Sequence, residues 1–197
     1  MKTINLNGKK SVAKDAALGV ICVFFLIATA KDVTAQPSTF SKGDNVVNLG
    51  VGLGGNYWTE HGADNLSVPF TFLSYERCIV NLFNDKGSIG VGGLVGYSAF
   101  QWKQSGTGWR SNDVFAGIRG ALHCELVSKL DTYACLMLGY NFNSWKTFSG
   151  GIKAIGLSRF EWGAFVGARY YFSESFAIFA EAGLGYSNIN GGISIKF

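Results

Sequence analysis

Two pairs of acid and base residues are the candidates for catalysis in this 197-residue chain. His61 and Asp64 lie in a polar segment, and His123 and Glu125 lie in a segment where apolar and small residues alternate. Such a pair activates a neighbouring Ser, Thr or Cys nucleophile, and neither pair has a recognisable one. The sequence therefore predicts that the protein is not an enzyme, with a lipid-directed reaction at His61 and Asp64 as an alternative.

Gly50, Gly52 and Gly55 match the GxGxxG pattern of dinucleotide-binding proteins. That pattern binds phosphate only when a helix follows it, because the helix N-terminus supplies the N–H groups. Here a polar loop follows instead, beginning at Asn56, so we interpret the glycines as small residues on one face of a strand. His and Cys are not clustered at the spacing of metal ligands, and we predict no metal or other cofactor.

Charged residues recur at alternate positions within apolar segments of the chain. They share one face with Gly, Ser and Asn, and the opposite face carries almost no charge. The pattern predicts a network of inward-facing charges: Glu76, Arg119, His123, Glu125, Glu161, Arg169, Glu181 and Lys196. An unpaired buried charge is costly, so opposite charges on neighbouring strands, such as Arg169 and Glu181, should pair. We interpret the network as ion pairs that plug a lumen; a gated conduction path through it is the alternative.

Two-residue alternation runs from Gln36 to the end of the chain and predicts that these charges stand on β-strands. The stretch 47–53, for example, alternates Val and Leu with Asn and Gly. Stretches of this kind, including one between Val68 and Leu82, number eight. The alternation predicts an all-β fold: an eight-stranded antiparallel up-and-down transmembrane β-barrel. The even count, together with an exported N-terminus, predicts that both ends lie on the periplasmic side.

Two soluble architectures, a lipocalin-like barrel and a β-sandwich, also show alternation. Both bury an apolar face and expose a polar one. In this sequence the polar face consists mainly of Gly, Ser and Asn, which suit a narrow lumen better than a wetted surface. The apolar face is nearly free of charge over seven strands, as contact with lipid requires, and we therefore favour the membrane barrel.

Aromatic residues on the apolar face should gather at the two membrane interfaces. If the first strand runs outward from the periplasm, the extracellular set is Tyr97, Tyr140, Phe142, Phe160, Trp162 and Tyr186. The periplasmic set is then Tyr170, Phe172, Phe176 and Phe197. Short turns are expected near Asp85, at 128–131 and near Glu174, and longer polar segments around Glu60, Ser105 and Gly150.

The long segments supply the candidate contact groups for an extracellular ligand, which the sequence does not identify. These groups are Tyr57, Trp58, His61, Trp102, Trp109 and Trp145. Anchoring of the barrel rim in the membrane interface is the alternative role for the aromatic members of this set.

The second strand departs from the pattern. If Glu76 points inward, Arg77 points to lipid, and Phe70 and Phe72 point into the lumen. Either a β-bulge or snorkelling of Arg77 toward the periplasmic interface would reconcile these positions.

Residues 1–35 have the three parts of a secretory signal peptide: a basic stretch, an apolar stretch and small residues before the cleavage site. We expect cleavage after Ala35, with Ala30 as the alternative, and a barrel domain over 36–197.

Of the 17 basic and 13 acidic residues, five basic and two acidic ones precede Gln36, which leaves a net charge of +1 for the rest of the chain. A nucleic-acid partner is not expected, because phosphate tracking needs clustered Lys and Arg.

Three cysteines remain after cleavage, an odd number that does not indicate a disulfide framework. Alternation points Cys124 outward and Cys135 inward, and thiols on opposite faces of a sheet cannot bridge without distortion. We expect Cys78, Cys124 and Cys135 to be free.

Several segments resemble the small, porin-like outer-membrane β-barrel proteins of Gram-negative bacteria: GSIGVGGLVGY, DTYACLMLGYNF, FVGARYYFSESFAIFAEAGLGYS and the ending GGISIKF. The likeness covers nearly all of the chain after residue 35. It implies a bacterial outer-membrane location and contact with outer-membrane lipids. It also implies that Ile193, Ile195 and Phe197 form the recognition signal for the barrel-assembly machinery. Cys135 stands where this pattern has glycine.

The resemblance implies little about function, because one fold hosts many functions. The expectation is a non-enzymatic protein that acts in envelope integrity or in surface recognition through its extracellular loops. A small-solute channel or transporter of the outer membrane and a lipid-directed outer-membrane enzyme are the alternatives.

Overall fold

A computed structural model describes residues 39–55, 65–83, 86–104, 107–147, 153–155 and 158–197, with Gln104 and 153–155 described by their backbone. The strands lie in one compact unit, Gln36–Phe197. Their bounds are β1 Asn45–Leu53, β2 Leu66–Leu82, β3 Gly87–Gln104, β4 Thr107–Val127, β5 Leu130–Thr147, β6 Lys153–Ile155, β7 Arg159–Tyr171, β8 Phe176–Leu184 and β9 Ile189–Lys196. The predicted signal peptide lies outside the described residues.

Each barrel strand pairs antiparallel with its neighbour along the chain, and β1 pairs with β9 to close the ring. The short strand β6 pairs with β5 beyond the point where β7 joins β5, so it extends the rim and the ring itself has eight strands. This confirms the predicted all-β, eight-stranded, antiparallel up-and-down barrel. Among the described residues, no helix has the length and apolarity to cross a membrane.

The two ends of the barrel differ in their connections. We call the end that holds Asn45 and Phe197 the near end; the backbone N–H of each donates to the carbonyl of the other at 2.9 Å. The opposite end, where β1 finishes at Leu53, is the far end. Lys129 in the near-end turn between β4 and β5 has a φ of 68°. Such left-handed residues are typical of tight hairpin turns.

The outer surface is an apolar belt. Large side chains such as Ile118, Leu136 and Leu138 are 63–68% exposed at mid-barrel. At the far end Tyr140 packs against Phe142 and Phe160 with ring centroids 4.9 and 5.0 Å apart. At the near end the rings of Tyr170, Phe172 and Phe176 form a second cluster. The two predicted aromatic sets therefore lie at opposite ends, with one exception.

Tyr186 is the exception: it was expected outward at the far rim but is buried inside the barrel, 1% exposed. Strand β8 ends at Leu184, and Gly185 adopts a φ of 141° that an L side chain rarely takes. The turn breaks the alternation and sends the Tyr186 ring inward, against Phe70 at 4.4 Å and Phe165 at 5.1 Å between centroids.

The middle of the barrel is filled by aromatic rings rather than by small polar groups. The buried cluster comprises Phe70, Phe72, Leu94, Phe100, Phe115, Ala121, Tyr133, Cys135, Met137, Phe165, Phe179 and Tyr186. Inward glycines stand opposite these rings: a Cβ on Gly50 would lie 2.5 Å from Phe72, and one on Gly167 2.7 Å from Tyr133. Glycine thus makes the space that each ring occupies, and interior packing depends on this pairing of small and large residues.

In the second strand, β2, the side chains face the directions that the alternation predicts. Phe70 and Phe72 are buried inside, and Arg77 is exposed on the outer face opposite Asn45, at the near end. A register shift follows between Cys78 and Val80 in the pairing with β3. Two further shifts lie at the far end, between Leu66 and Thr71, so the pairing is regular from Thr71 to Cys78 and the near-end irregularity comes just after Arg77.

Two sequence-based expectations about connections are wrong. The segment around Ser105 is not a long loop, because β3 and β4 pair as far as Gln104 and Thr107 and only two residues lie between them. The near-end turn expected at 128–131 is shorter, and Asp131 belongs to β5 and faces the interior. In both places the strands continue past the polar residues that indicated a turn. The three described cysteines are free, as expected.

We predict that Gly139→Ala destabilises the barrel by about 1–3 kcal/mol, because the new methyl group would overlap the Phe115 ring and the backbone oxygen of Ala116. The free energy of unfolding in urea, measured in lipid vesicles by tryptophan fluorescence, would report the change. Gly120→Ala is the matched control, since its Cβ would have the Gly90 oxygen, 4.0 Å away, as its nearest neighbour. Equal effects of the two substitutions would contradict this account of the glycines.

Candidate functional site

A four-residue charge cluster occupies the interior near the near end. His123 Nε2 lies 2.6 Å from Glu76 Oε1, and His123 Nδ1 lies 2.9 Å from Asp131 Oδ1. The Arg169 guanidinium spans the same two carboxylates, at 3.3 Å from Glu76 and 3.1 Å from Asp131. All four side chains are essentially inaccessible to solvent. Because both ring nitrogens face a carboxylate, the imidazolium form of His123 satisfies both contacts, and two cations then balance two anions.

A second ion pair lies toward mid-barrel. Arg119 Nη2 is 2.9 Å from Glu181 Oε1, and the same carboxylate accepts hydrogen bonds from the Tyr133 hydroxyl at 2.9 Å and from Asn190 at 3.2 Å. The Tyr133 ring lies between the two clusters, 6.0 Å from the Arg119 guanidinium and 5.3 Å from that of Arg169. These contacts satisfy the Glu181 carboxylate within an otherwise aromatic interior.

Arg169 and Glu181, suggested as partners, do not pair. Strands β7 and β8 place Glu181 opposite Gly167, one diagonal step from Arg169, as the spacing indicated. Arg169 instead pairs with Asp131, its direct cross-strand partner on β5, and reaches across the barrel to Glu76 on β2. The contact with Asp131 follows from the register of β7 against β5. The contact with Glu76 joins strands that are not neighbours, and only closure of the ring brings them together.

The remaining predicted charges lie apart from these clusters. Glu125 is half-buried at the near end and accepts a hydrogen bond from the Thr39 backbone at 2.7 Å. Lys196, also at the near end, donates to the Thr39 carbonyl at 3.0 Å and lies 3.7 Å from the Asp44 carboxylate. Glu161 is buried toward the far end, where it pairs with Arg159 at 2.9 Å. The structure thus divides the eight predicted residues among four local groups.

Sequence reasoning missed two inward carboxylates. Asp131 is central to the near-end cluster but had been assigned to a turn. Asp113, toward the far end, accepts hydrogen bonds from Asn141 at 3.0 Å and Asn143 at 2.7 Å. The alternation held the signal in both cases, since Asp131 continues the inward series of Tyr133 and Asp113 continues that of Phe115.

The N-terminal segment closes the near end. The Phe40 ring is buried and lies 4.6 Å from the His123 ring, with the Arg169 guanidinium 5.8 Å above it. Between Phe40, His123 and Asp131 there remains a cavity of about 10 Å³. A wider cavity of about 750 Å³ lies beyond Thr39, at the near-end surface of the barrel. The aromatic cluster above and Phe40 below therefore enclose the charges.

Strands β3, β4 and β5 extend the wall of the barrel beyond its far end. Trp102 and Trp109 are cross-strand partners in β3 and β4, and Trp109 stacks on Trp145 of β5 with centroids 4.6 Å apart. The three tryptophans expected in loops therefore stand on strands, on the face that continues the interior wall. Tyr57, Trp58, His61 and Asp64 lie outside the described residues. Within the described ranges, no group of His, Cys, Asp and Glu could hold a metal ion.

The predicted assembly signal lies on the outer surface of the last strand. Ile193 and Ile195 are exposed and stand opposite Leu49 and Val47 of β1, and Phe197 is exposed at the near end. The three side chains follow one apolar line along the strand that closes the ring. Their recognition by the assembly machinery stays a prediction.

No family model and no curated protein matches this sequence. Solved structures with a similar fold include the N-terminal β-barrel domain of Pseudomonas aeruginosa OprF, 11% identical, covering 79% of this chain and 98% of that one with a TM-score of 0.48. Ail, the attachment invasion locus protein of Yersinia pestis, is 15% identical, with 79% and 99% covered and a TM-score of 0.48. Its complex with the heparin analogue sucrose octasulfate gives 12% identity, the same coverage and a TM-score of 0.49. At these scores the assignment of the fold rests on the strand pairing.

We predict that Arg119→Met lowers the free energy of unfolding by about 3–5 kcal/mol, because it leaves the Glu181 carboxylate buried without its cation. The double variant Arg119→Met with Glu181→Gln should recover at least half of the loss, since no uncompensated charge remains. Urea unfolding in vesicles measures both. A double variant as unstable as the single one would show that the charge is not the cause.

Proposed function

We propose that this protein spans the bacterial outer membrane as a closed, non-enzymatic barrel that acts in envelope integrity or surface recognition through its far end. The observation that carries the proposal is the apolar belt between two aromatic clusters, wrapped around an interior that is filled. A soluble protein rarely exposes an apolar surface of this extent. Lipid contact accounts for it, because a closed ring leaves no unpaired strand edge in the membrane.

The placement of outward charges supports a membrane-spanning belt. Among the strand residues whose side chains the structure describes, the charged ones on the outer face are Arg77 at the near end and Lys103, Arg110 and Lys146 beyond the far aromatic cluster. A Lys or Arg at the bilayer midplane costs about 2–4 kcal/mol, and this cost falls to nearly zero at the interfaces. The belt between these positions is therefore free of the charges that lipid excludes.

The connections favour a periplasmic near end. Outer-membrane barrels have short periplasmic turns and longer extracellular connections. The near end carries the turn between Val127 and Leu130 and that between Tyr171 and Phe176, together with both ends of the ring. The far end carries the long segment between Leu53 and Leu66 and the extended strands β3 to β6. Both termini of the barrel domain then lie in the periplasm, and the tryptophan-bearing strands face outward from the cell.

The filled interior argues against the channel alternative. An eight-stranded barrel has room inside for side chains only, and here Phe40, the ion pairs and the aromatic cluster occupy it in succession. The enzyme alternative has less support from the described residues. His123 is 2% exposed, and both of its ring nitrogens are engaged with carboxylates.

Cysteine labelling on intact cells tests location and orientation together. We expect Thr107→Cys, at the exposed far end, to react with a membrane-impermeant maleimide on whole cells. Lys129→Cys, in a near-end turn, should react only after the outer membrane is opened. The unaltered chain, whose three described cysteines are buried or half-buried, is the background control. Labelling of Lys129→Cys on intact cells would overturn the orientation, and failure of both variants to label in the membrane fraction would overturn the location.

Planar-bilayer conductance tests the filled interior. We expect refolded residues 36–197 to give no steady conductance, because the aromatic cluster blocks the path at mid-barrel. Arg169→Ala should be equally silent, since it removes a near-end charge and leaves that cluster in place. A large open porin in the same bilayer is the positive control. Steady conductance that changes on Arg169→Ala would favour the channel alternative instead.

A further inference from the structure

Basic residues stand directly opposite one another on the outer face of the far-end extension. Arg110 of β4 is the direct cross-strand partner of Lys146 of β5. Lys103 of β3 stands two residues beyond Gln101, the partner of Arg110 on the other side. Like charges directly opposite each other in a sheet repel. The row is therefore unfavourable unless negative charge lies against it.

The described part of the chain does not supply that negative charge. Lys103, Arg110 and Lys146 form no ion pair with a described carboxylate. The nearest carboxylates along these strands belong to Asp113, which is buried on the inner face and hydrogen-bonded to asparagines. An interior carboxylate cannot neutralise cations on the outer face of the same wall. An anion that relieves this repulsion then comes from outside these elements.

The Arg110 side chain is held in place on the outer face. Its Nε donates to Asn112 Oδ1 at 3.2 Å, and the Tyr97 hydroxyl donates to the same oxygen at 2.9 Å. These contacts use one of the guanidinium donors and leave the two terminal nitrogens for a ligand. A guanidinium fork matches the oxygens of a phosphate group, and a neighbouring ammonium such as that of Lys146 adds a point charge.

The depth of the row points to a lipid rather than a soluble ligand. Val114 and Phe142, partners in β4 and β5, are exposed at the far edge of the apolar belt. Arg110 and Lys146 lie four residues farther along the same strands, a path of about 13 Å at roughly 3.3 Å per residue. Strand tilt shortens this height above the belt, which places the cations where headgroups lie. Because their face is the one that meets lipid lower down, the adjacent molecules are lipids.

We propose that Lys103, Arg110 and Lys146 form a site on the outer face of the barrel for the phosphate groups of a phosphorylated lipid of the outer leaflet. The inference rests on the proposed membrane location and adds to it a lipid class and the residues that bind it. A barrel bound in this way links the lipid molecules around it, because its cations pair with their phosphate groups. By linking lipid molecules in this way, the protein contributes to envelope integrity.

Native mass spectrometry of the barrel in zwitterionic nanodiscs tests the site, with diphosphoryl lipid A as the probe. We expect the triple variant Lys103→Gln, Arg110→Gln, Lys146→Gln to retain about tenfold less lipid A than the unaltered protein, since each cation near an anionic surface contributes to attraction. Raised salt should weaken retention by the unaltered protein and leave that of the variant nearly unchanged. The matched control is Lys42→Gln, Lys86→Gln, Lys129→Gln, which removes three exposed near-end cations and should retain lipid A fully.

Three results would overturn the site: equal retention by the triple variant and the unaltered protein, equal loss in the near-end control, or equal retention of dephosphorylated lipid A. The change in electrophoretic mobility on heating shows that each variant is folded, so loss of the site is distinguished from loss of the barrel. The labelling experiment on Thr107 and Lys129 decides the membrane location independently, because neither residue belongs to the lipid site. Correct labelling with unselective lipid retention would leave the proposed function standing and overturn this inference alone.

Discussion

Closure of the hydrogen-bonded ring is the constraint on which the rest of this structure depends. Each of the eight ring strands has a partner on both sides, and the last pairing, between β1 and β9, removes the edges that an open sheet would expose. A ring of this size encloses only enough space for side chains. Every inward residue must therefore fit beside residues from strands that are distant in the chain, and every outward residue faces the surroundings.

The interior meets this constraint in two ways at different heights. At mid-barrel, large rings stand against glycines, so Phe72 lies where Gly50 leaves room and Tyr133 lies where Gly167 does. Toward the near end, where Phe40 covers the interior, charges of both signs surround one another at hydrogen-bonding distance. Neither solution leaves a continuous path. With its interior filled, the barrel offers its outer face and its far-end strands as surfaces for contact.

The outer face carries different kinds of side chain at different heights. Apolar side chains cover mid-barrel, aromatic rings mark both edges, and cations stand beyond the far edge on strands that outreach the ring. The same three strands carry tryptophans on the opposite face, where Trp109 stacks on Trp145. One extension of the sheet thus presents a basic surface to one side and an aromatic surface to the other. This asymmetry follows from alternation, which continues unbroken from the belt into the extension.

Much of this arrangement could be predicted from the sequence because the side-chain period of a strand is local information. Alternation alone assigned Phe70, Arg119 and Glu181 to the interior and Phe142 and Leu138 to the surface, and the strand count implied an antiparallel ring. Where the backbone leaves the β conformation, as at Gly185, alternation fails, and Tyr186 was placed on the wrong face. Polar residues near strand ends were equally ambiguous, so that Asp131 and the tryptophan-bearing extension were assigned to turns and loops.

The sequence by itself therefore determined the class of fold, the direction of most side chains and the apolar belt, because each follows from neighbours a few residues apart. Tertiary structure alone decided which charges meet: Arg169 bridges Glu76 and Asp131, 93 and 38 residues away, rather than its diagonal neighbour Glu181. It also decided that Phe40 covers the near end and that Arg110 stands directly opposite Lys146. The physical reason is that these contacts depend on strand register and ring closure, which bring together residues that no local pattern relates.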